Sequence, residues 1–383
     1  MLLMTVGPVA VDPRVIEAMN SPAITHQSME FFETLDETIG MLRTIFQTTS
    51  DVIVMPGSGR LGIESALCSI IERGDRTLHI SSGTFAGFAL DAARRAGAEP
   101  TVVEGRWGGP MELQRVRSEL TKARYKLVLV VQSETSTGAR YPVEEVGRLC
   151  REFDTLCFVD GVSSIGSMPF DMDGMEVDLC ATSSNKSLGA IIGLSMIGVS
   201  ERAYGAMENR KTVCQSYALD LLRWRKMFFG RPAPRPYPVV PSTHLVFALK
   251  EACRQTLEEG LEARWRRHQR FAEATRQAVE AVGLRLFPDR ELAGNAVTAV
   301  SVPKGVEEKA ILKRMREAYK IELSGSMPGP SGGKLFRISH QGVQASPEYL
   351  LPTLMALENT LADLGCDIEL GKSLVAFERA LRG

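Results

Sequence analysis

The chain has 383 residues, of which 44% are hydrophobic, and a formal net charge of −1. That length can bury a large core, and one large domain with a smaller companion is the natural division. The near-zero charge argues against a dedicated nucleic-acid binder, which carries a basic excess or patch.

Taken in chain order, strand-length apolar runs lie at residues 52–55, 77–80, 100–103, 127–132, 157–159, 179–182 and 194–198. Amphipathic helical patterns at 61–73, 85–96, 111–123 and 143–153 fall between them. This βαβα rhythm predicts an α/β fold with a largely parallel, seven-stranded sheet covered on both faces. Ligands of such sheets sit beyond the strand carboxyl ends. The rhythm breaks at 204–235, and the run Gly230-Arg-Pro-Ala-Pro-Arg-Pro-Tyr-Pro238 reads as a loop or crossing segment. One long helix is expected at 245–282, then strands at 296–302 and 335–338 and helices at 307–319 and 347–364. We therefore expect an N-terminal arm over 1–15, a large domain over 16–244 and a small C-terminal α/β domain over 245–383.

Seven cysteines (Cys68, Cys150, Cys157, Cys180, Cys214, Cys253 and Cys366) are scattered and mostly in apolar surroundings. That is the pattern of core thiols in a reducing compartment. No CxxC or HExxH motif points to a metal. The segment Met1-Leu-Leu-Met-Thr-Val6 is too short for a signal sequence, no apolar run spans a bilayer, and Ala380-Leu-Arg-Gly383 is not a peroxisomal tripeptide. A cytoplasmic location, with no membrane partner, is the default expectation.

The chemistry-bearing residues cluster at predicted strand ends. Pro56-Gly-Ser-Gly-Arg60 joins a strand to a helix, where backbone amides and the helix N-terminus favour a phosphate; it also reads as a plain turn. Ser81-Ser-Gly-Thr-Phe85 places an aromatic ring where it can lie against a planar ligand, or simply fill a core. Glu134-Thr-Ser-Thr-Gly138 offers hydroxyls to a ligand or caps a loop. Asp160 closes an apolar strand, where a buried charge needs a partner or a capping role. Lys186, twenty-six positions later, lies between two apolar strands in Ser183-Ser-Asn-Lys186. A lysine amine can form a Schiff base with an aldehyde cofactor, and a buried aspartate can keep a pyridine ring protonated as an electron sink. Together they point to pyridoxal phosphate. Arg337, in Lys334-Leu-Phe-Arg-Ile-Ser-His340, suits a bidentate grip on a carboxylate or a structural ion pair. The loop Gly365-Cys-Asp-Ile-Glu-Leu-Gly-Lys-Ser373 has five residues between its glycines, where a nucleotide-binding loop needs four.

This ordered set resembles the class V aminotransferases of pyridoxal phosphate (PLP) fold type I. The likeness runs from Thr5-Val-Gly-Pro-Val9 through Gly57-Ser-Gly59, Glu134-Thr-Ser-Thr-Gly138 and Asp160-Gly-Val-Ser-Ser-Ile-Gly166 to Gly333-Lys-Leu-Phe-Arg-Ile-Ser-His-Gln-Gly342. It implies a catalytic pair, with Lys186 holding the cofactor and moving the proton, and Asp160 on the ring nitrogen. It implies Phe85 stacked on the ring, Thr135 near the ring oxygen, and Ser58, Gly59, Arg60 and Asn185 around the phosphate. Gly7, His26 and Arg337 are implied for the substrate, Arg337 for its carboxylate. Tyr237 is implied to reach the phosphate across a homodimer interface. The motif His26-Gln-Ser-Met-Glu-Phe31 resembles that of alanine/serine–glyoxylate or –pyruvate enzymes. A small amino-acid donor and a 2-oxo-acid acceptor are therefore expected, in ping-pong order. Ureidoglycine–glyoxylate enzymes are similar overall but carry glutamine and asparagine in place of His26 and Tyr237. Pyridoxamine–pyruvate and aminoethylphosphonate–pyruvate transaminases share shorter stretches. The chain departs from the family at Asn185, Ala190-Ile-Ile-Gly193 and Val240. A class V lyase of the cysteine desulfurase kind needs a cysteine in the small domain, and none lies between Cys253 and Cys366. A non-catalytic binder on the same fold fits poorly with an intact Asp160, Lys186 and Arg337.

Overall fold

The computed structural model describes residues 1–382. The chain opens with a short strand, β1 (Leu2–Met4), then α1 (Pro13–Met19) and α2 (Met29–Phe46). Asp12 caps α1 with Pro13 in the first turn, and Ser28 caps α2 through the Phe31 amide. Next come β2 (Asp51–Pro56), α3 (Gly59–Ile70), β3 (Arg76–Ser81), α4 (Thr84–Arg95), β4 (Glu99–Glu104), α5 (Leu113–Lys122) and β5 (Leu127–Val131). A two-residue ribbon, β6 (Ser133–Glu134) with β7 (Ala139–Arg140), leads into α6 (Val143–Glu152), β8 (Leu156–Asp160), β9 (Leu179–Ser183) and β10 (Leu194–Val199).

All seven predicted strands enter one sheet, in the order β2-β10-β9-β8-β5-β3-β4. It is mostly parallel, as expected, with β10 alone running against its neighbours β2 and β9. Successive side chains alternate between the faces. Val128, Val130, Cys157 and Val159 join one apolar cluster, while Leu127, Leu129, Leu156 and Phe158 join the other. Both faces are buried, which explains the near-continuous apolar runs.

The segment read as irregular holds two helices, α7 (Glu201–Glu208) and α8 (Leu221–Phe228). Ser200 and Asp220 cap them, and Trp224 is buried. The charged residues there mask an amphipathic period. The single long helix is also two, α9 (Thr243–Glu259) and α10 (Leu261–Ala281), parted at Gly260 with φ +80°. Only glycine takes that conformation cheaply.

A second sheet follows from β11 (Val297–Ser301), α11 (Glu308–Tyr319), β12 (Ile321–Gly325) and β13 (Leu335–Ser339). Its order is β1-β12-β13-β11, with β1 parallel to β12 at Leu2–Ile321. The first residues of the chain thus complete a sheet made by its last third. Helices α12 (Pro347–Asp363) and α13 (Lys372–Arg382) finish the chain. In the glycine loop before α13, the amides of Gly371 and Ser373 bind the Glu358 carboxylate, so the chain's own anion fills it. No helix among the described residues is long and apolar enough to cross a membrane.

Candidate active site

Because β10 is the one reversed strand, the carboxyl ends of the other six (β2, β3, β4, β5, β8 and β9) share an edge. A cavity of about 390 Å³ opens there, closed from the other side by β12 and β13. It is lined by Gly7, Ser58, Gly59, Arg60, Phe85, Asp160, Asn185, Lys186 and Arg337, all predicted from sequence. Residues up to 330 positions apart in sequence (Gly7 and Arg337) are brought together by the two sheets.

Lys186 follows β9, and its Nζ donates to the Val6 carbonyl at 2.6 Å. The N-terminal segment is drawn close around it: a Cβ added at Gly7, where φ is +155°, would lie 2.2 Å from Nζ. Ser324 Oγ and Gln341 Nε2 hold this segment at Val6. Burial pushes the Lys186 amine down to about 8, and the Arg337 charge adds to this while Asp160 opposes it. Asp160 ends β8, buried, with Oδ1 accepting the Val162 amide at 2.9 Å. Burial pushes its carboxyl up to about 7, against the Val162 bond and the Lys186 charge. An ionised Asp160 therefore gains from any cation placed beside it.

Ser58 caps α3, yet its hydroxyl makes no capping bond. The first amides of a helix have no carbonyl one turn earlier, so this end is an anion site by construction. Gly59 is required there, since a Cβ would fall 2.6 Å from Val162 Cγ2. Arg60 adds a cation at the rim, its guanidinium 4.0 Å over the Phe88 ring. Asn185 is fixed by Ser183 Oγ at 2.5 Å. Phe85 sits in the first turn of α4, half-buried.

Arg337 is central in β13 and 5% exposed. Its guanidinium donates to the Gly325 carbonyl from Nε and Nη2 and to the Thr135 carbonyl from Nη1 at 3.0 Å. Its bonded partners are carbonyls, not carboxylates, and the nearby Glu134 and Glu308 charges only partly offset its burial. Burial pushes it down to about 10. Thr135 is itself buried, and its hydroxyl has no partner among the described residues. These features (an anion-ready helix end, a buried lysine, a buried carboxyl and an orphaned hydroxyl) fit a phosphorylated pyridine aldehyde.

Three predicted residues do not line this cavity: Thr135, which lies behind it with its carbonyl on Arg337, and His26 and Tyr237. His26 Nδ1 and the Tyr237 hydroxyl hydrogen-bond each other, and Tyr237 packs on Phe32, 6.2 Å between ring centroids. Ile192 lines the cavity and is 52% exposed, while Val240 is 58% exposed. His340 bonds Thr298 and Asn295 and is fully buried beneath β11, so its role is structural. Sequence reasoning also missed Ser133, Ser163, Ser324 and Met327 in the lining. Short polar residues at strand ends carry little signal on their own. Among the described residues no His, Cys, Asp and Glu cluster could hold a metal.

The sequence matches the family model Aminotransferase class-V over residues 15–344. An uncharacterised aminotransferase of Methanocaldococcus jannaschii is 35% identical, covering 100% of this chain and 98% of that one. An alanine–glyoxylate aminotransferase of Drosophila melanogaster is 34% identical over 97% of this chain and 95% of its own. The crystal structure of a ureidoglycine–glyoxylate aminotransferase from Bacillus subtilis has a TM-score of 0.95 at 32% identity, covering 100% of this chain and 98% of that one. The parallel sheet, the lysine and aspartate at its carboxyl edge and these full-length matches have one meaning: the chain belongs to the class V aminotransferases, PLP-dependent enzymes of fold type I.

Proposed function

We propose that this aminotransferase moves the amino group of L-alanine or L-serine to glyoxylate or pyruvate, with PLP as cofactor. The observation that carries the reading is Arg337, a buried cation bonded only by carbonyls, facing the same 390 Å³ cavity as Lys186. A cavity that must hold a phosphorylated ring leaves room for a small carboxylic acid. The pair His26 and Tyr237 replaces the glutamine and asparagine of the ureidoglycine enzymes, which supports a donor without a ureido group.

PLP supplies, when bound, an aldehyde that receives the amino group and a ring that draws electrons from Cα. Ser58, Gly59, Arg60 and Asn185 would hold the phosphate, and the Thr135 hydroxyl would serve the ring's oxygen. Phe85 would bound the ring face. Asp160 would keep a proton at the ring nitrogen, a cation that would relieve the cost of its burial. Lys186 would anchor the aldehyde, and its free amine would take the Cα proton. A base with a pKa near 8 suits that transfer at neutral pH. Arg337 grips the carboxylate of donor and acceptor in turn, so one site serves both. The active unit is a homodimer in which His26 and Tyr237 of one chain serve the cavity of the other. Neither residue lines the cavity of its own chain, which supports this.

Steady-state assays with each donor and acceptor test the reading. L-alanine or L-serine with glyoxylate or pyruvate should give the highest kcat/KM. Turnover restricted to pyridoxamine, ureidoglycine or aminoethylphosphonate would overturn the substrate assignment and leave the transaminase chemistry standing.

A further inference from the structure

We propose that Glu134 is a positioning residue that sets Phe85 and Arg337 in register with each other. The proposal rests on the roles given to those two side chains under Proposed function. Glu134 ends β6 with its side chain completely buried. Oε2 accepts the amides of Phe85 and Ala86, both at 3.1 Å. Oε1 accepts the Ser136 amide at 3.1 Å and the Ser136 hydroxyl at 2.5 Å. An ionised carboxylate offers about four acceptor sites, so four donors fill it. Two of those donors are first-turn amides of α4, where a negative charge also meets the helix dipole. The Ser136 hydroxyl in turn accepts the Thr84 amide at 3.0 Å. The start of α4 is therefore fastened from a different strand end, through one carboxylate and one serine.

The next residue completes the link. The Thr135 carbonyl accepts Arg337 Nη1 at 3.0 Å. The loop at Glu134 thus fastens the helix turn that bears Phe85 on one side and braces the Arg337 guanidinium on the other. Gly83 leaves the carboxylate its space: a Cβ there would lie 2.3 Å from Glu134 Cγ and Cδ. The backbone at Gly83 is extended, with φ 178°, so alanine is allowed by conformation and excluded by contact with Glu134 and with Ser136 Oγ, 2.7 Å from that Cβ. Glutamine at position 134 would turn an NH2 toward amide donors on one side or the other, and a backbone bond must break.

The test compares wild type with Glu134→Gln and Gly83→Ala. Amide hydrogen exchange of the 84–86 segment is followed in cofactor-free protein, and visible circular dichroism and kcat/KM in cofactor-loaded protein. Both variants should exchange faster at that segment, lose most of the cofactor's dichroic signal and fall at least about tenfold in kcat/KM. If Glu134→Gln does not fold, Gly83→Ala and Ser136→Ala carry the same test. Faster exchange with dichroism and kcat/KM within twofold of wild type would mean a purely structural anchor and overturn the proposal. Unchanged exchange would overturn it as well. A wild-type protein that takes up no PLP would sink the functional reading, and the exchange measurement would still judge the anchor.

Discussion

Lys186 and Asp160 are perturbed in opposite directions by one cause, the loss of water around a charge. Capture of PLP by cofactor-free protein needs the neutral amine. Its rate should rise with pH through about 8, well below an ordinary lysine. Removing the Arg337 cation (Arg337→Leu) should move that midpoint up, and Asp160→Asn should move it down, as stopped-flow absorbance would read. A midpoint that stays put in both variants would contradict the electrostatic account. Asp160 also makes a stability claim for the cofactor-free protein. Its folded pKa, about 7, lies above the usual 3.8. The penalty is absent at low pH, where both states are protonated, and grows as pH rises toward 7. Asp160→Asn should therefore stabilise the cofactor-free protein at pH 8 by up to a few kcal/mol. The gain should vanish near pH 4, as denaturant titrations would show; a gain equal at both pH values would contradict it. Both residues were legible in the sequence because a charge flanked by apolar strands is anomalous. Glu134 was not, because a glutamate among hydroxyl residues reads as an ordinary loop until the fold brings the α4 amides to it.

Elements place these residues by where they end. Helix α3 presents its N-terminus to the cavity only because Gly59 lets its first turn approach Val162 and Ser183. Gly59→Ala should push that turn outward and weaken PLP binding about tenfold, an overpacking cost of about 1–3 kcal/mol. Equilibrium dialysis checks this, and an unchanged affinity would mean the amides do not hold the phosphate. The seven central strands were legible because burial on both faces writes continuous apolar runs. The breaks were less so. Gly260 parts α9 from α10 through its backbone conformation, which a helical pattern running past it conceals. Strand β12 (Ile-Glu-Leu-Ser-Gly) is short and alternates with polar residues, and β1 has three residues. Their pairing gives them away, and pairing is not written locally. The reversal of β10, which leaves the other six strands ending on one edge, likewise emerges only from topology.

At the scale of the whole molecule, the site joins two sheets, and on our reading two chains. Tyr237 bonds His26 away from the cavity of its own chain. If it serves the partner's phosphate, the protein sediments as a dimer and Tyr237→Phe weakens PLP binding several-fold. A monomer that retains full activity would contradict the shared site. The central claim is transamination at Lys186, and one measurement tests it most directly. Purified protein loaded with PLP is mixed with L-alanine or L-serine alone, and its absorbance is followed through a single half-reaction. The account predicts that the visible band of the bound aldehyde gives way to the near-ultraviolet band of the amine form. Glyoxylate or pyruvate should then restore the first band, and Lys186→Ala should show neither change. A protein that binds no chromophore, or whose bands exchange equally well without Lys186, would contradict it.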